Sequence, residues 1–453
     1  MITNRVHIQI LNKMKLEASG RSFNSFELYP SDTAMGSSFS ISPERKKTFK
    51  LLVLINIILN YDSGAIPASL LQIQQQVPLT YTESACLVSL SYLGLAFSSL
   101  FVSSIFQKFS ATKTLLFALC LNCAFSLVFS FSYNVPSMFI SRIGMGLTQA
   151  FSVIYAPVWI NEFSPKQKES LWMGFLQASV PIGVVFGYLT AGTLSIFNLF
   201  SWRFAIQIQS ILELPLIVWF AHLNPEEIDI IDQSQDNLHL ASLKDQLKML
   251  FGNLLFLLLT FSLCCLYFVV AGVQYWVTLY MLKVLNIQFY IVIIVFVIVS
   301  VTAPISGVYA GGKIIEFFGG YKGKNLVDAL WVCFISSLLA SFCTLPASIA
   351  TGPFGELVSL WMLLFFGAII VPCATGVCVN CVEREYQANT SSFLQSCANV
   401  GGFFLGPLLG AVYMEKFEDE IEGLRSGFRM VLSVSWIGCF LMGLSLCKAR
   451  KVV

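Results

Sequence analysis

Apolar runs of about twenty residues or more follow one another along almost the whole chain, separated only by short charged clusters. Roughly twelve can be placed, near 49–72, 83–106, 114–133, 136–161, 170–194, 203–222, 250–281, 286–312, 325–346, 354–382, 388–413 and 428–447. A helix needs roughly 20 residues to cross about 30 Å of hydrocarbon. Hydrocarbon admits only structures that satisfy their own backbone, which means helices or a closed barrel. The runs are continuous rather than alternating, which argues against the barrel. Of the 453 residues 56% are hydrophobic and 11% charged, where a soluble chain carries roughly a quarter charged. The fold class is an all-α polytopic membrane protein of twelve transmembrane helices.

Lysine and arginine set the orientation. The N-terminal tail, Lys108 and Lys113, Lys166 and Lys168, Lys244 and Lys248, Lys313 with Lys322 and Lys324, Arg384 and the Lys448–Lys451 tail all fall on one side. Both termini are therefore expected in the cytoplasm, which requires an even number of spans. The longest internal loop follows the sixth span and divides the chain into two six-helix bundles. The expected organisation is a disordered, Ser-rich cytoplasmic tail (1–48), a first bundle (49–222), a cytoplasmic central loop (223–248), a second bundle (249–447) and a short cytoplasmic tail (448–453). No early apolar core marks a cleavable signal peptide.

Several classes are disfavoured. A formal charge of +2 offers no basic field for nucleic acid. The thirteen cysteines lie mostly within apolar runs as small packing residues. Cys378 and Cys381 form a lone CxxC, and His7, His222 and His239 all fall in tails or loops, so no metal is expected. No nucleophile–base constellation or phosphate-binding glycine loop is present, so neither an enzyme nor a cofactor is expected. Without an ATPase motif, uphill transport would draw on an ion gradient or on exchange.

The chemistry lies in the charges that remain inside the spans, which are functional by default. The stretch Ser141–Pro165, which begins within the fourth span, opens on Arg142 and carries Gln149 two turns later on nearly the same face. Asp62 lies roughly 20 Å in from one end of the first span and Arg142 roughly 9 Å from the opposite end of the fourth. The two share a depth and are a candidate pair, with Asp62 exchanging a proton and Arg142 either holding an anionic head group or pairing with it. A static ion pair that fixes packing is the plainer reading. Glu213, midway along the sixth span and two residues before Pro215, is a second candidate for proton coupling. Gln149 is a candidate substrate contact that could equally form an interhelical hydrogen bond. Trp276 reads as an amphipathic ring at the outer membrane interface.

The two halves repeat one another. Ser103–Ser110 follows the second span and Gly312–Gly320 the eighth; Gly183, Gly187 and Gly192 in the fifth span answer Gly402, Gly406 and Gly410 in the eleventh. Parallel six-helix halves are a transporter plan. On these residues the chain resembles the major facilitator superfamily. Gly312–Gly320 is similar to its loop motif, while the first-half copy has Gln107 where an acid is usual and keeps the cation at Lys108. Arg142, Gly146, Ala150, Ala156-Pro157 and Glu162 further resemble the fourth helix of Spinster-like lipid transporters, and Asn56, Asn60-Tyr61-Asp62 and Gln74 their first. Two positions depart from that pattern: Gln149 stands where a Glu is usual, and Ser63 follows Asp62 where an Arg is usual.

The resemblance implies a secondary transporter working by alternating access, expected as a monomer, and adds Asn60 to the cavity candidates, together with Gln274 and Tyr275 because the seventh span lines the cavity in this superfamily. It implies a cytoplasmic gate in which Lys108, Glu162, Lys313 and Glu316 hold the halves together in one state and part in the other. The implied substrate is an amphipathic lipid, a lysophospholipid or sphingoid species, with protons as the candidate coupling ion and the plasma or endolysosomal membrane as its site. A sugar, organic anion or drug-like solute on the same scaffold is one alternative. A non-transporting receptor or scaffold is another.

Overall fold

The computed structural model describes residues 43–165, 168–197, 201–230, 251–320, 325–349, 352–381 and 387–450. The tail 1–42, most of the central loop, and Lys166, Lys244, Lys248, Lys322, Lys324 and Arg384 lie outside these residues, as does the end of the chain from 451.

Among the described residues, twelve helical passes are long and apolar enough to cross a membrane. The first is made of α1 (Pro43–Leu59) and α2 (Asp62–Gln76), and single helices follow: α3 (Tyr81–Phe106), α4 (Ala111–Phe131), α5 (Val135–Phe163), α6 (Glu169–Ile196) and α7 (Trp202–Ala221). The second half holds α8 (Leu254–Lys283), α9 (Phe289–Phe317), α10 (Asn325–Ile349) and α11 (Pro353–Asn380). Its eleventh pass joins α12 (Gln387–Cys397) to α13 (Leu405–Met414) through a π-helical segment, Ala398–Phe404, and α14 (Glu420–Ala449) closes the chain. With an even number of passes, both ends of the described chain lie on one face, the terminal face; the other is the far face.

Burial separates the passes by role. Of the most apolar stretch of the first pass 83% is buried, against 33% for α7, so α1–α2 is central and α7 peripheral. Large apolar side chains such as Phe97, Leu100, Phe117, Phe131, Ile140 and Phe175 stand exposed around the outside. Such a surface suits lipid rather than water as solvent.

The first pass differs from the continuous helix over 49–72 that its composition suggests. It is longer at both ends and breaks at Asn60-Tyr61. The amides of Asn60 and Tyr61 bond back to the carbonyls of Ile57 and Ile58, both at 3.2 Å, which tightens the last turn of α1. Helix α6 presses on this break. A Cβ on Gly183 would stand 2.2 Å from the Ile57 carbonyl oxygen, and one on Gly187 would stand 1.9 Å from that of Tyr61. Only glycine lets the two backbones approach so closely.

Helix α9 ends differently. Gly319 and Gly320 take φ of 82° and 96°, and their amides bond to the carbonyls of Glu316 and Ile315. That left-handed stop suits glycine and explains the Gly-Gly that closes the loop motif.

Candidate functional site

The break in the first pass places Asp62 at the first residue of α2, where free amides and the helix dipole favour an anion. Arg142, wholly buried on α5, reaches it from the side. Its Nη1 donates to Asp62 Oδ2, its Nε donates to the Leu87 carbonyl, and its Nη2 donates to Ser91 Oγ at 3.0 Å. The guanidinium carbon lies 5.7 Å from the centre of the Phe129 ring. Three elements of the first half thus satisfy one cation, and in this state none of its nitrogens is spare for a head group.

Gln149 lies two turns along the same helix and donates through Nε2 to the Leu59 carbonyl, at 3.1 Å. That carbonyl belongs to the break. An amide can donate to it and a carboxylate cannot, so the residue that departs from the Spinster pattern serves the backbone of this chain. Asn60 is likewise engaged: buried, it donates to the Asn56 carbonyl at 2.7 Å.

Tyr275 donates to the Ser84 carbonyl, and Gln274 Nε2 donates to the Ser63 carbonyl at 3.4 Å. These two candidates bridge the halves. They also line a cleft with Ser63, Pro67, Val88, Tyr92, Ala271 and Phe403, so both halves contribute to its wall. The room inside it, about 10 Å³, is far below the roughly 300–1,000 Å³ of a typical ligand pocket, so the cleft is contracted in this state. Tyr92 and Phe403 stack across it with ring centres 4.7 Å apart, and Tyr267 packs on Phe403 at 5.2 Å. Phe403 sits in the π-helical segment, a local widening common at functional sites. Neither stacked ring stands out in the sequence, because a lone aromatic in an apolar run carries no signal of what it faces.

Glu213 is 2% exposed and neither of its oxygens has a hydrogen-bond partner among the described residues. Trp276 corrects the sequence reading. It is fully buried and donates to the Pro407 carbonyl at 3.0 Å, so packing of α8 on α13 holds the ring rather than a membrane interface.

The proposed gate residues do not join the halves in this structure. Lys313 pairs with Glu316 at 2.8 Å, one turn away on its own helix, while Lys108 and Glu162 are exposed without an ion pair among the described residues. The halves are instead fastened on the far face. Thr80 and Glu83 cap α3 reciprocally, a capping box readable in the sequence. Glu415 then reaches across from the second half and accepts from the Thr82 amide at 2.7 Å and its hydroxyl at 2.8 Å. Glu420 accepts from Tyr81 at 2.9 Å and also from Lys283. Further in, Tyr188 of α6 shares a hydrogen bond with Thr278 of α8 at 2.7 Å and stacks on Phe296 of α9 at 3.7 Å. The molecule is closed toward the far face. The contacts of Glu415 and Glu420 are exposed to solvent, so each carboxylate contributes roughly 1 kcal/mol or less. Replacing both Glu415 and Glu420 by Ala is expected to raise, by a few fold, the far-side labelling of a cysteine placed at Gln274 in a cysteine-free background. Unchanged labelling would show that the two carboxylates do not hold this face shut.

A family model described as Major Facilitator Superfamily matches residues 52–404. The chain belongs to the Major Facilitator Superfamily. Among curated relatives of this superfamily member, a probable sphingolipid transporter, spinster homolog 2 of Arabidopsis thaliana, is 23% identical over 76% of this chain and 75% of its own. Spinster homolog 1 of the same plant is 25% identical over 37% of this chain, a match that spans only 39% of that relative. The mouse facilitated glucose transporter member 12 is 25% identical over 30% of this chain and 22% of its own. In architecture, a bacterial homolog of the human lysosomal transporter Spinster, solved inward-facing and unoccupied, superposes with a TM-score of 0.78 at 14% identity, covering 90% of this chain and 98% of that one. The superfamily fold and the resemblance to Spinster proteins therefore stand together.

Proposed function

We propose that this superfamily member is a secondary transporter that moves an amphipathic lipid by alternating access. The observation that carries the reading is the buried Asp62–Arg142 pair, set at a broken helix beside a cleft to which both halves contribute. The cleft offers Pro67, Val88, Ala271 and two stacked aromatic rings, with only Ser63, Gln274, Tyr275 and the Tyr92 hydroxyl as polar groups. An acyl or sphingoid tail fits that balance. A hexose would need a hydrogen-bonding partner for nearly every hydroxyl to be well selected.

In this reading the terminal face is cytoplasmic, and the state described is the one closed toward the far face. Protonation of Asp62 dissolves the pair and releases Arg142, either to an anionic head group or to a new partner in the outward-open state. The four terminal-face charges, Lys108, Glu162, Lys313 and Glu316, then engage as the far-face contacts part.

The test is uptake of labelled lysophospholipid, with hexose as comparison, into proteoliposomes with and without an imposed pH gradient. Lysolipid uptake stimulated by the gradient is expected in the wild type, and Asp62→Asn is expected to lose the stimulation while keeping exchange. Hexose uptake without lysolipid uptake would favour the sugar reading, which the match to glucose transporter member 12 keeps open. No uptake of either would favour a non-transporting role.

A further inference from the structure

Beyond the contact between Asp62 and Arg142, the first half holds a set of buried oxygens with no hydrogen-bond partner among the described residues. On α7, Gln209 and Glu213 stand one turn apart on the same helix face, 0% and 2% exposed. Both side-chain atoms of Gln209 and both oxygens of Glu213 lack partners among the described residues. Asp62 gives one oxygen to Arg142, while its Oδ1 is buried and unpartnered. The Asp62 and Glu213 carboxylates are close enough to act on each other electrostatically. Helix α7 packs against α1, α2 and α4, which brings this face to the break in the first pass. On α4, Asn122 Oδ1 is also buried and unpartnered, and its neighbour Cys123 points its thiol at the Ser210 carbonyl, one residue from Gln209.

Buried polar groups are normally satisfied, and a bare buried carboxylate is costly. The unpartnered atoms here are almost all acceptors: two from Glu213 and one each from Asp62, Gln209 and Asn122, against a single donor, Gln209 Nε2. A proton on Glu213 could serve only one of those acceptors. A hard cation takes several oxygen ligands at once, carboxylate and amide oxygens together. The charge balance fits: Asp62 and Arg142 cancel, so one sodium beside an ionised Glu213 would leave the site neutral.

We propose that Glu213, Gln209 and the free oxygen of Asp62 form a binding site for sodium, between α7 and the break that separates α1 from α2. The site does not depend on which substrate is carried. Because Asp62 belongs both to it and to the pair with Arg142, sodium would favour the charged pair and so the state seen here.

The test needs no transport. The full chain is purified in detergent, and its thermal unfolding midpoint is followed at constant ionic strength as sodium replaces N-methyl-D-glucamine, with potassium as control. A saturable, sodium-selective rise of several degrees is expected, lost in Glu213→Gln and weakened in Gln209→Leu. Direct binding of radioactive sodium is expected to weaken at least tenfold in Gln209→Leu, a readout that stands if Glu213→Gln does not fold. The groups facing Glu213 that could mimic the effect by titrating are Asp62 of α2, Cys123 of α4 and, through Asp62, Arg142 of α5. The titration is therefore repeated at two pH values. A midpoint that follows pH but is indifferent to sodium would overturn the proposal in favour of a protonated Glu213. A sodium response fully retained in Glu213→Gln would overturn it too.

Discussion

Arg142→Ala is expected to abolish transport and to lower stability by about 3–5 kcal/mol, the usual result of removing one partner from a buried ion pair. The loss reaches beyond one bond. Asp62, 3% exposed, would lose its counter-ion, and the Leu87 carbonyl and Ser91 hydroxyl would each lose their donor from Arg142. A companion substitution separates the pair from the rest. Asp62→Asn removes the charge that needs Arg142, so the double variant Arg142→Met with Asp62→Asn is expected to recover much of the stability and none of the gradient-driven uptake. Thermal midpoints in detergent give the first quantity and proteoliposome uptake the second. A double variant no more stable than Arg142→Ala would mean that the cation acts through Leu87 and Ser91 rather than through the pair.

Gly187→Val is expected to prevent recovery of folded, monodisperse protein. A Cβ there would stand 1.9 Å from the Tyr61 carbonyl oxygen and 2.8 Å from its carbon, both backbone atoms that no rotamer change can move aside. Overpacking costs about 1–3 kcal/mol where side chains can yield, and more where they cannot. Here α6 would have to leave the break, loosening Tyr61 and with it the start of α2 that presents Asp62. Gly174, on the same helix, is the control, because a Cβ there meets nothing within 4 Å. Gly174→Ala is expected to be neutral or to stabilise, since alanine favours a helix by up to about 1 kcal/mol over glycine. Size-exclusion profiles and thermal midpoints of the two variants decide the matter. Equal behaviour would mean that α6 is free to shift.

The number of passes and the meeting of Asp62 with Arg142 were legible in the sequence for one reason. A helix rises by a fixed amount per residue, so counting places a charge in depth before any contact is known. Counting cannot place it around the helix axis. Gln209 shows the limit: in a peripheral helix a glutamine reads as ordinary, and only packing reveals that neither end of its amide has a partner among the described residues. The break in the first pass did leave a trace, because Asn60, Asp62, Ser63 and Gly64 are turn-forming residues clustered inside an apolar run. The far-face contacts left none. Thr82 and Glu415 are 333 residues apart, and an acid in a short loop announces no partner. The terminal-face motif drew attention to the other end of the molecule, where its charges are solvated in this state.

The π-helical segment in the eleventh pass has a consequence for those distant contacts. A wide turn holds one residue more than an α turn over the same rise, and each residue adds about 100° of rotation. The segment therefore acts as a phase shifter between α12 and α13. Upstream of it Ser396 faces Ser99 of the first half; downstream Pro407 receives Trp276, and Glu415 faces Thr82. A uniform α-helix through the same residues would keep one of these two alignments and turn the other away by about a quarter of a revolution. The seat of Glu415 on the far face is thus set in the middle of the molecule, at the ring of Phe403 that lines the cleft.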